Sequence, residues 1–562
     1  MPYRSPVTDI RFILDHVVPL ARVSATERFA EITSDVAEAV LDEAGKLCDT
    51  VVAPVQRAGD LNPARLENGI VRTSPGFAEA FAQIAEGGWV APAAPAEHGG
   101  MGLPQMLNMA INDMMSGACL SLELNPLLTQ GQIEALEHHA SEEIKALYLP
   151  KLISGTWSGT MNLTEPQAGS DVGAVRTKAA ANGDGTYAIT GQKIFITWGD
   201  ADFMENVCHL VLARLPDAPE GTKGISLFLV PKFIPDAEGR PGKRNGVSVV
   251  SLEHKLGLHG SPTCVMAYEG ATGWLIGAES KGMAAMFTMM NNARLGVAMQ
   301  GIGVAEAACQ AAVEYAAERR QMGPIIDHPD VRRMLATMRA EVFAARAIGL
   351  ACAQATDMAG ATGAQDWAAR AAFLTPIAKA YGTDMGMAVA EMAVQVHGGM
   401  GFIEETGVAQ FGRDVRVTAI YEGTNGIQAM DLVGRKMVDG GEMAFRLLEE
   451  VETGAETARS MLPDLAEDVW TAAETLREAT EWLVGQEMPD RFAGAVPYLR
   501  AFARVLGGHY HLRAAIAEGG GARMALARFY IRRLMPLYAA QLAEAREGAA
   551  GVLALSPDKL AS

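Results

Sequence analysis

The sequence predicts an α+β protein whose helices and strands are segregated along the chain. Three observations carry this. Apolar residues recur at three and four from about Val7 to about Ser154, the spacing of a helix with one greasy face. Near Trp157 the texture changes to short β-branched and aromatic runs separated by Gly, Pro and Asp turns. After Gly277, long Ala-rich helical patterns return. The expected order is an N-terminal helical domain (1–156), a middle antiparallel β-domain (157–277), a C-terminal helical bundle (278–438) and an extra C-terminal helical appendage (439–562). Strands and helices do not alternate, which argues against a Rossmann core.

Taken in order, the N-terminal helices break at Ala91–Gly100, where two prolines and a Gly pair cannot continue a helix. Strand-forming runs follow at Tyr187–Thr190, Ile194–Thr197, Val207–Leu212, Ile225–Val230 and Val247–Leu252. The polar stretch from Pro235 to Gly246 reads as a surface loop. Asp439-Gly440-Gly441 separates the bundle from the appendage, which carries its own break at Gly519-Gly520-Gly521. Gly301-Ile302-Gly303 resembles a piece of a dinucleotide fingerprint, but it lies inside a helical pattern and Glu306 stands where the last glycine belongs. Close helix packing is the better reading.

A chain of 562 residues with 49% hydrophobic content can bury large cores. Its net charge of −19 argues against a general nucleic-acid binder and against an anionic membrane surface. Cys48, Cys119, Cys208, Cys264, Cys309 and Cys352 lie far apart and form no CxxC pair, so they read as buried thiols in a reducing compartment. With no signal-peptide core and no apolar run of membrane length, a soluble cytoplasmic protein is expected. The 29 methionines read as adaptable core filler, although Met286, Met289 and Met290 could alternatively line a greasy tunnel.

Two segments carry chemistry. In Ile420-Tyr421-Glu422-Gly423-Thr424-Asn425-Gly426-Ile427-Gln428, an apolar pair leads into one carboxylate. Apolar neighbours raise a carboxylate's pKa toward neutrality, which suits a general base, and the glycines let a ligand approach the backbone. A solvated loop glutamate between two helices fits the same residues. In Met161-Asn162-Leu163-Thr164-Glu165-Pro166-Gln167-Ala168-Gly169-Ser170-Asp171-Val172, a strand end runs into a turn exposing Ser170 and nearby amides. That suits a polar or anionic ligand, and an ordinary strand-to-loop turn is the plain alternative.

Read together, the motifs Leu163-Thr164-Glu165-Pro166, Ala168-Gly169-Ser170-Asp171 and Gly191-Gln192-Lys193-Ile194-Phe195-Ile196-Thr197 resemble the flavin-binding signature of acyl-CoA dehydrogenases. The resemblance continues through Lys255-Leu256-Gly257, Ser261-Pro262-Thr263, Arg319, Gln321-Met322-Gly323, Gln395 to Phe402, Arg413-Asp414 and Tyr421-Glu422-Gly423-Thr424, in the family's order. It implies FAD held between the β-domain and the C-terminal bundle. Leu163 and Thr164 would meet the flavin pyrimidine edge. Ser170 would serve the pyrophosphate or the CoA portion of the substrate. Phe195 and Thr197 would sit against the isoalloxazine. Arg319, Gln321, Gln395 and Gly399 would reach the cofactor of a neighbouring subunit, which implies a homodimer or homotetramer. Thr424 and Asn425 would close over FAD, and Arg294 and Gly423 would lie on the substrate side.

The implied reaction is α,β-dehydrogenation of an acyl-CoA thioester, with Glu422 taking the α-proton and the β-hydrogen leaving as hydride to the flavin. Some family members place the base just before the arginine matching Arg294. Ala293 stands there and cannot act as one. Phe195 replaces a common Trp, His259 a common Arg and Met322 a common Phe. The extra length at both ends resembles a long bacterial branch. That branch holds dehydrogenases of 3-methylmercaptopropionyl-CoA in dimethylsulfoniopropionate breakdown as well as enzymes for ordinary short and medium acyl chains. The expectation is conversion of 3-methylmercaptopropionyl-CoA to methylthioacryloyl-CoA, with an electron-transfer flavoprotein as acceptor. An acyl-CoA oxidase and a flavin-containing DNA-associated homologue are the rivals. The second expects a basic tail, and this tail is slightly acidic.

Overall fold

A computed structural model describes residues 3–561. Met1, Pro2 and Ser562 lie outside them. The N-terminal region is helical, as its periodicity predicts. Its long helix α1 (Gln105–His139) is buried almost throughout and leaves helical geometry at Cys119. The break Ala91–Gly100 is a loop holding one short turn, Ala96–His98. A small hairpin, Arg65–Glu67 with Ile70–Arg72, has no counterpart among the expected elements. Its strands are three residues long, too short to show a period.

The middle region is a seven-stranded sheet. Its strands are β1 (Trp157–Asn162), β2 (Lys178–Ala181), β3 (Tyr187–Thr197), β4 (Asn206–Arg214), β5 (Ile225–Pro231), β6 (Val247–Leu252) and β7 (Thr263–Ile276). They run in the order β6-β7-β3-β2-β4-β1, and β5 pairs with both β7 and β4, closing strands into a ring. Most neighbours are antiparallel. β1 and β4 are parallel, as is the single β2–β4 bridge, because the chain crosses back before re-entering. The two runs at Tyr187–Thr190 and Ile194–Thr197 form one strand, β3. Between Lys193 and Ile196 its register with β7 slips, so Ile194 and Phe195 bulge opposite Val265. The stretch Pro235–Gly246 folds back as a hairpin, Phe233–Pro235 with Pro241–Arg244.

Three long helices follow: α2 (Gly282–Glu318), α3 (Pro329–Thr362) and α4 (Gln365–His397). They pack with α1 as a bundle. The Gly301-Ile302-Gly303 segment is a packing device. A Cβ at Gly303 would sit 2.2 Å from the Asp113 carbonyl oxygen of α1, and one at Gly301 would sit 2.4 Å from that of Gly382 in α4. Beside this close approach, Arg346 of α3 donates to Asp113 of α1 at 2.6 Å and to Glu306 of α2 at 3.3 Å, all buried. A short helix, α5 (Asn425–Gly434), ends the bundle.

The appendage helices pack on the bundle instead of standing apart. α6 (Ala495–Glu518) lies against α3, α4 and α5. Arg504 of α6 reaches Glu341 of α3 at 2.9 Å, and Phe502 meets Phe373 of α4 edge to face. Bundle and appendage share one apolar core. Met286 and Met289 are fully buried between the sheet and the helices, so they fill core. All six cysteines are free and buried. Among the described residues no helix is long and apolar enough to cross a membrane, and no cluster of metal-ligating side chains occurs.

Candidate active site

The segment after Ala419 turns sharply. Glu422 takes φ 56°, a left-handed conformation costly for a residue with a Cβ, and Gly423 follows at φ 88°. A Cβ on Gly423 would lie 2.7 Å from the Gln428 amide nitrogen, so glycine is required there. Thr424 then caps α5, its hydroxyl accepting from the Ile427 N–H at 3.3 Å.

This turn is pinned from several elements. The Glu422 carbonyl accepts from Arg294 Nε of α2 at 3.2 Å and from Gln428 Nε2 at 3.1 Å. The Gly423 carbonyl and Asn425 Oδ1 each accept from Lys379 Nζ of α4 at 2.9 Å. Asn425 Nδ2 donates to Asp384 at 2.6 Å and to Thr383 at 2.9 Å. The Tyr421 hydroxyl donates to Gln300, whose amide donates in turn to the buried carboxyl of Glu123 at 2.9 Å.

The Glu422 carboxyl is left free by this scaffold. Its Oε2 is sealed from solvent and, among the described residues, has no hydrogen-bond partner. Burial pushes its pKa up to about 7, against the pull of Arg294 and Lys379. A carboxyl divided between two protonation states near neutral pH, with an unspent oxygen, is equipped to take a proton. Ala293, the alternative base position, is a buried methyl group in α2.

A second set of predicted residues gathers where β1 ends and β3 bulges. The Leu163 carbonyl accepts from Lys193 Nζ at 2.9 Å, and the Thr164 carbonyl accepts from the Ile194 N–H at 2.9 Å. Glu165 anchors this turn. Burial alone would raise its pKa, yet Lys193 at 2.8 Å, Thr177 and the Arg176 N–H hold it down at about 2. The bulge turns Phe195 outward, at φ 60° and 58% exposed. Among the described residues, the hydroxyls of Thr164, Thr197 and Ser170 have no hydrogen-bond partner. An uncovered aromatic face beside unspent hydroxyls and strand-end amides fits the ring and polar edge of a flavin.

The third set lies elsewhere. Arg319 and Gln321 end α2, and Gln395 and Gly399 end α4, all exposed. Tyr315 and His397 stack at 4.2 Å and join these two helix ends. At 1.5 Å per residue, Arg319 lies roughly 37 Å along α2 from Arg294. One chain therefore does not bring these residues to its own Glu422. Exposed Met322, Met400 and Phe402 surround them, as a surface awaiting cover would.

Some outcomes were not legible. Lys379, Gln300 and Glu123 connect to this turn and no motif pointed to them. The available signal was a lone lysine within the apolar stretch Pro376-Ile377-Ala378-Lys379-Ala380-Tyr381. Thr424 and Asn425, expected over the cofactor, also bond at the turn, Thr424 to the Ile427 N–H and Asn425 to Lys379 and Asp384. His259 is engaged at both ring nitrogens, with Asp60 at 2.8 Å and the Lys255 carbonyl at 2.9 Å, which makes it part of an internal ion network.

A helical–sheet–helical architecture with an unpartnered carboxyl on one turn and an exposed aromatic and polar edge at Phe195 fits a flavin-dependent dehydrogenase. The comparisons make the class specific. Residues 34–156, 160–271 and 280–438 match the N-terminal, middle and C-terminal domains of acyl-CoA dehydrogenase, and residues 447–556 match an acetyl-CoA dehydrogenase C-terminal-like domain. The chain is 47% identical over 520 residues to the 3-methylmercaptopropionyl-CoA dehydrogenase of Ruegeria pomeroyi, covering 89% of this chain and 88% of that one. It is 33% identical to a butyryl-CoA dehydrogenase of Syntrophomonas wolfei, over 95% of each. The structure of Caenorhabditis elegans ACDH-11 in complex with C11-CoA superposes with a TM-score of 0.81 at 20% identity, over 95% of this chain and 92% of that one, a likeness of fold. The chain belongs to the acyl-CoA dehydrogenase family of FAD-dependent oxidoreductases.

Proposed function

We propose that this enzyme converts 3-methylmercaptopropionyl-CoA to its α,β-unsaturated product, with Glu422 as the base. The observation that carries the mechanism is the free, buried Glu422 carboxyl held on a left-handed turn between two cations. The 47% identity to the Ruegeria pomeroyi enzyme carries the substrate. Glu422 accepts the α-proton. Its backbone, clamped by Arg294, Lys379 and Gln428, keeps the carboxyl in place while that proton moves. Leu163, Thr164, Ser170, Phe195 and Thr197 hold FAD, which when bound supplies the acceptor for the β-hydrogen. Arg319, Gln321, Gln395 and Gly399 serve the FAD of a neighbouring copy, so the working unit is a homo-oligomer. Gly423 and Arg294 line the substrate side, while Thr424 and Asn425 close over FAD from the turn they build. The exposed edge at Phe195 leaves room for an electron-transfer flavoprotein as acceptor. The free buried thiols support a cytoplasmic location. We place the domain limits at 156, 277 and 438.

A second substrate reading, an ordinary short acyl chain, is favoured by the butyryl-CoA dehydrogenase relative that spans nearly the whole chain. A thioether and a methylene are close to isosteric, and apolar pockets separate such pairs by roughly 1–3 kcal/mol. The test is a panel of acyl-CoAs scored by flavin bleaching. The methylthio-propionyl thioester should give the highest kcat/KM, and a butyryl or longer substrate ahead of it overturns the assignment. Glu422→Gln should keep bound FAD and lose bleaching. Wild-type bleaching in that variant removes Glu422 as the base.

A further inference from the structure

Lys379 is wholly buried in α4, and among the described residues no carboxylate lies within ion-pair distance of its ammonium. Placing a charge there costs several kcal/mol unless something answers it. What answers it is the base loop: the Gly423 carbonyl and Asn425 Oδ1, each at 2.9 Å.

The other charged groups around Glu422 are already committed. Asp384 of α4 binds Arg500 at 2.8 Å and Asn425 at 2.6 Å. Asp431 and Arg435 of α5 pair with each other. Glu123 of α1 takes its hydrogen bond from Gln300. Tyr421, the neighbouring residue, donates to Gln300. Arg294 of α2 binds the Glu422 carbonyl. Two cations without a carboxylate of their own therefore face the one carboxyl left unpartnered.

We propose that Lys379 is a positioning residue for Glu422. Its two hydrogen bonds hold the Gly423–Asn425 turn, and its charge lets the Glu422 carboxyl, whose Oε2 is sealed from solvent, ionise. This rests on Glu422 being the base, and it adds the group that makes a buried carboxylate usable. Burial alone drives such a carboxyl toward the neutral acid, which cannot accept a proton. A buried cation facing it from α4, screened little by solvent, favours the charged form. Without Lys379 the turn also loses a two-point anchor under a left-handed residue.

The test uses FAD-loaded protein and reads Glu422 directly. The infrared carboxyl band that disappears in Glu422→Gln is followed against pH in wild type, Lys379→Met and Lys379→Gln. Loss of the cation should raise the band's titration midpoint by about one pH unit or more in both variants. Lys379→Met should bleach its flavin on the order of a hundredfold more slowly at neutral pH. Lys379→Gln, which can still donate to the Gly423 carbonyl, should recover part of that rate while keeping the shifted midpoint. FAD content per protomer should stay at the wild-type level. An unshifted midpoint in both variants overturns the proposal, and so does a wild-type rate in Lys379→Met. If Lys379→Met does not fold, the Lys379→Gln midpoint decides alone. Because the band reports Glu422 whichever acyl-CoA is preferred, a wrong substrate assignment leaves this result standing. Bleaching retained in Glu422→Gln is the separate failure of Glu422 as base.

Discussion

Glu422 shows how a residue is made both strained and reactive. The left-handed backbone costs about 1–2 kcal/mol, and the turn's bonds to Arg294, Lys379 and Gln428 hold it there. Its raised pKa sets the pH dependence. Only the deprotonated carboxylate accepts a proton, so single-turnover flavin bleaching should rise with pH through about 7 and level off above it. A rate that falls over that interval contradicts the assignment. Glu165 is the opposite case, a carboxylate held down at about 2 for structural reasons. Its folded pKa lies below its ordinary value of 4.5, so its contribution to stability is present above 4.5 and is lost as pH falls toward about 2. Lys193→Met leaves that buried carboxylate without its cation and should cost about 3–5 kcal/mol, read from the denaturant midpoint.

At the level of elements, the helices were legible because their periodicity persists for thirty residues or more, and the strands because β-branched runs cluster between turns. The bulge in β3 was not. Nothing in Lys193-Ile194-Phe195-Ile196 marks where the ladder slips, because the slip is set by the partner strand β7. It is nevertheless the bulge that turns Phe195 outward. The glycines of α2 were read as packing residues, and the 2.2 Å approach at Gly303 gives the reason. Gly303→Val forces α1 and α2 apart beside the buried Arg346–Asp113–Glu306 group. It should lower the melting temperature and the yield of folded protein, whereas Gly551→Val, where a Cβ meets open space, should change neither.

For the whole molecule, the appendage and the bundle behave as one body. Truncation after Val438 strips α6 from α3 and α4, removes Arg504 from Glu341 and opens the shared core. The shortened chain should aggregate or bind a hydrophobic dye, and a soluble, cooperatively melting fragment would show the bundle to be self-sufficient. Assembly is testable at the exposed helix ends. Arg319→Ala with Gln321→Ala should lower FAD content per protomer while leaving the melting curve of the apoprotein unchanged, because neither side chain supports its own chain's core. Unchanged FAD content in the double variant removes these residues from the cofactor site.

The sequence by itself determined the order of helices, sheet, bundle and appendage, since each is written in a local period and needs no distant partner. It also singled out Glu422, in combination with Ala293, as the candidate base, because a missing carboxylate is visible in any sequence that carries the surrounding motifs. Only the tertiary structure decided what surrounds that carboxylate. Lys379 stands forty-three residues before Glu422, and Glu123 nearly three hundred. Helix packing alone brings Lys379 to the turn that carries the base, and through Gln300 and Tyr421 links Glu123 to the same turn. Electrostatic influence depends on distance and burial, neither of which is written in the spacing of residues along a chain.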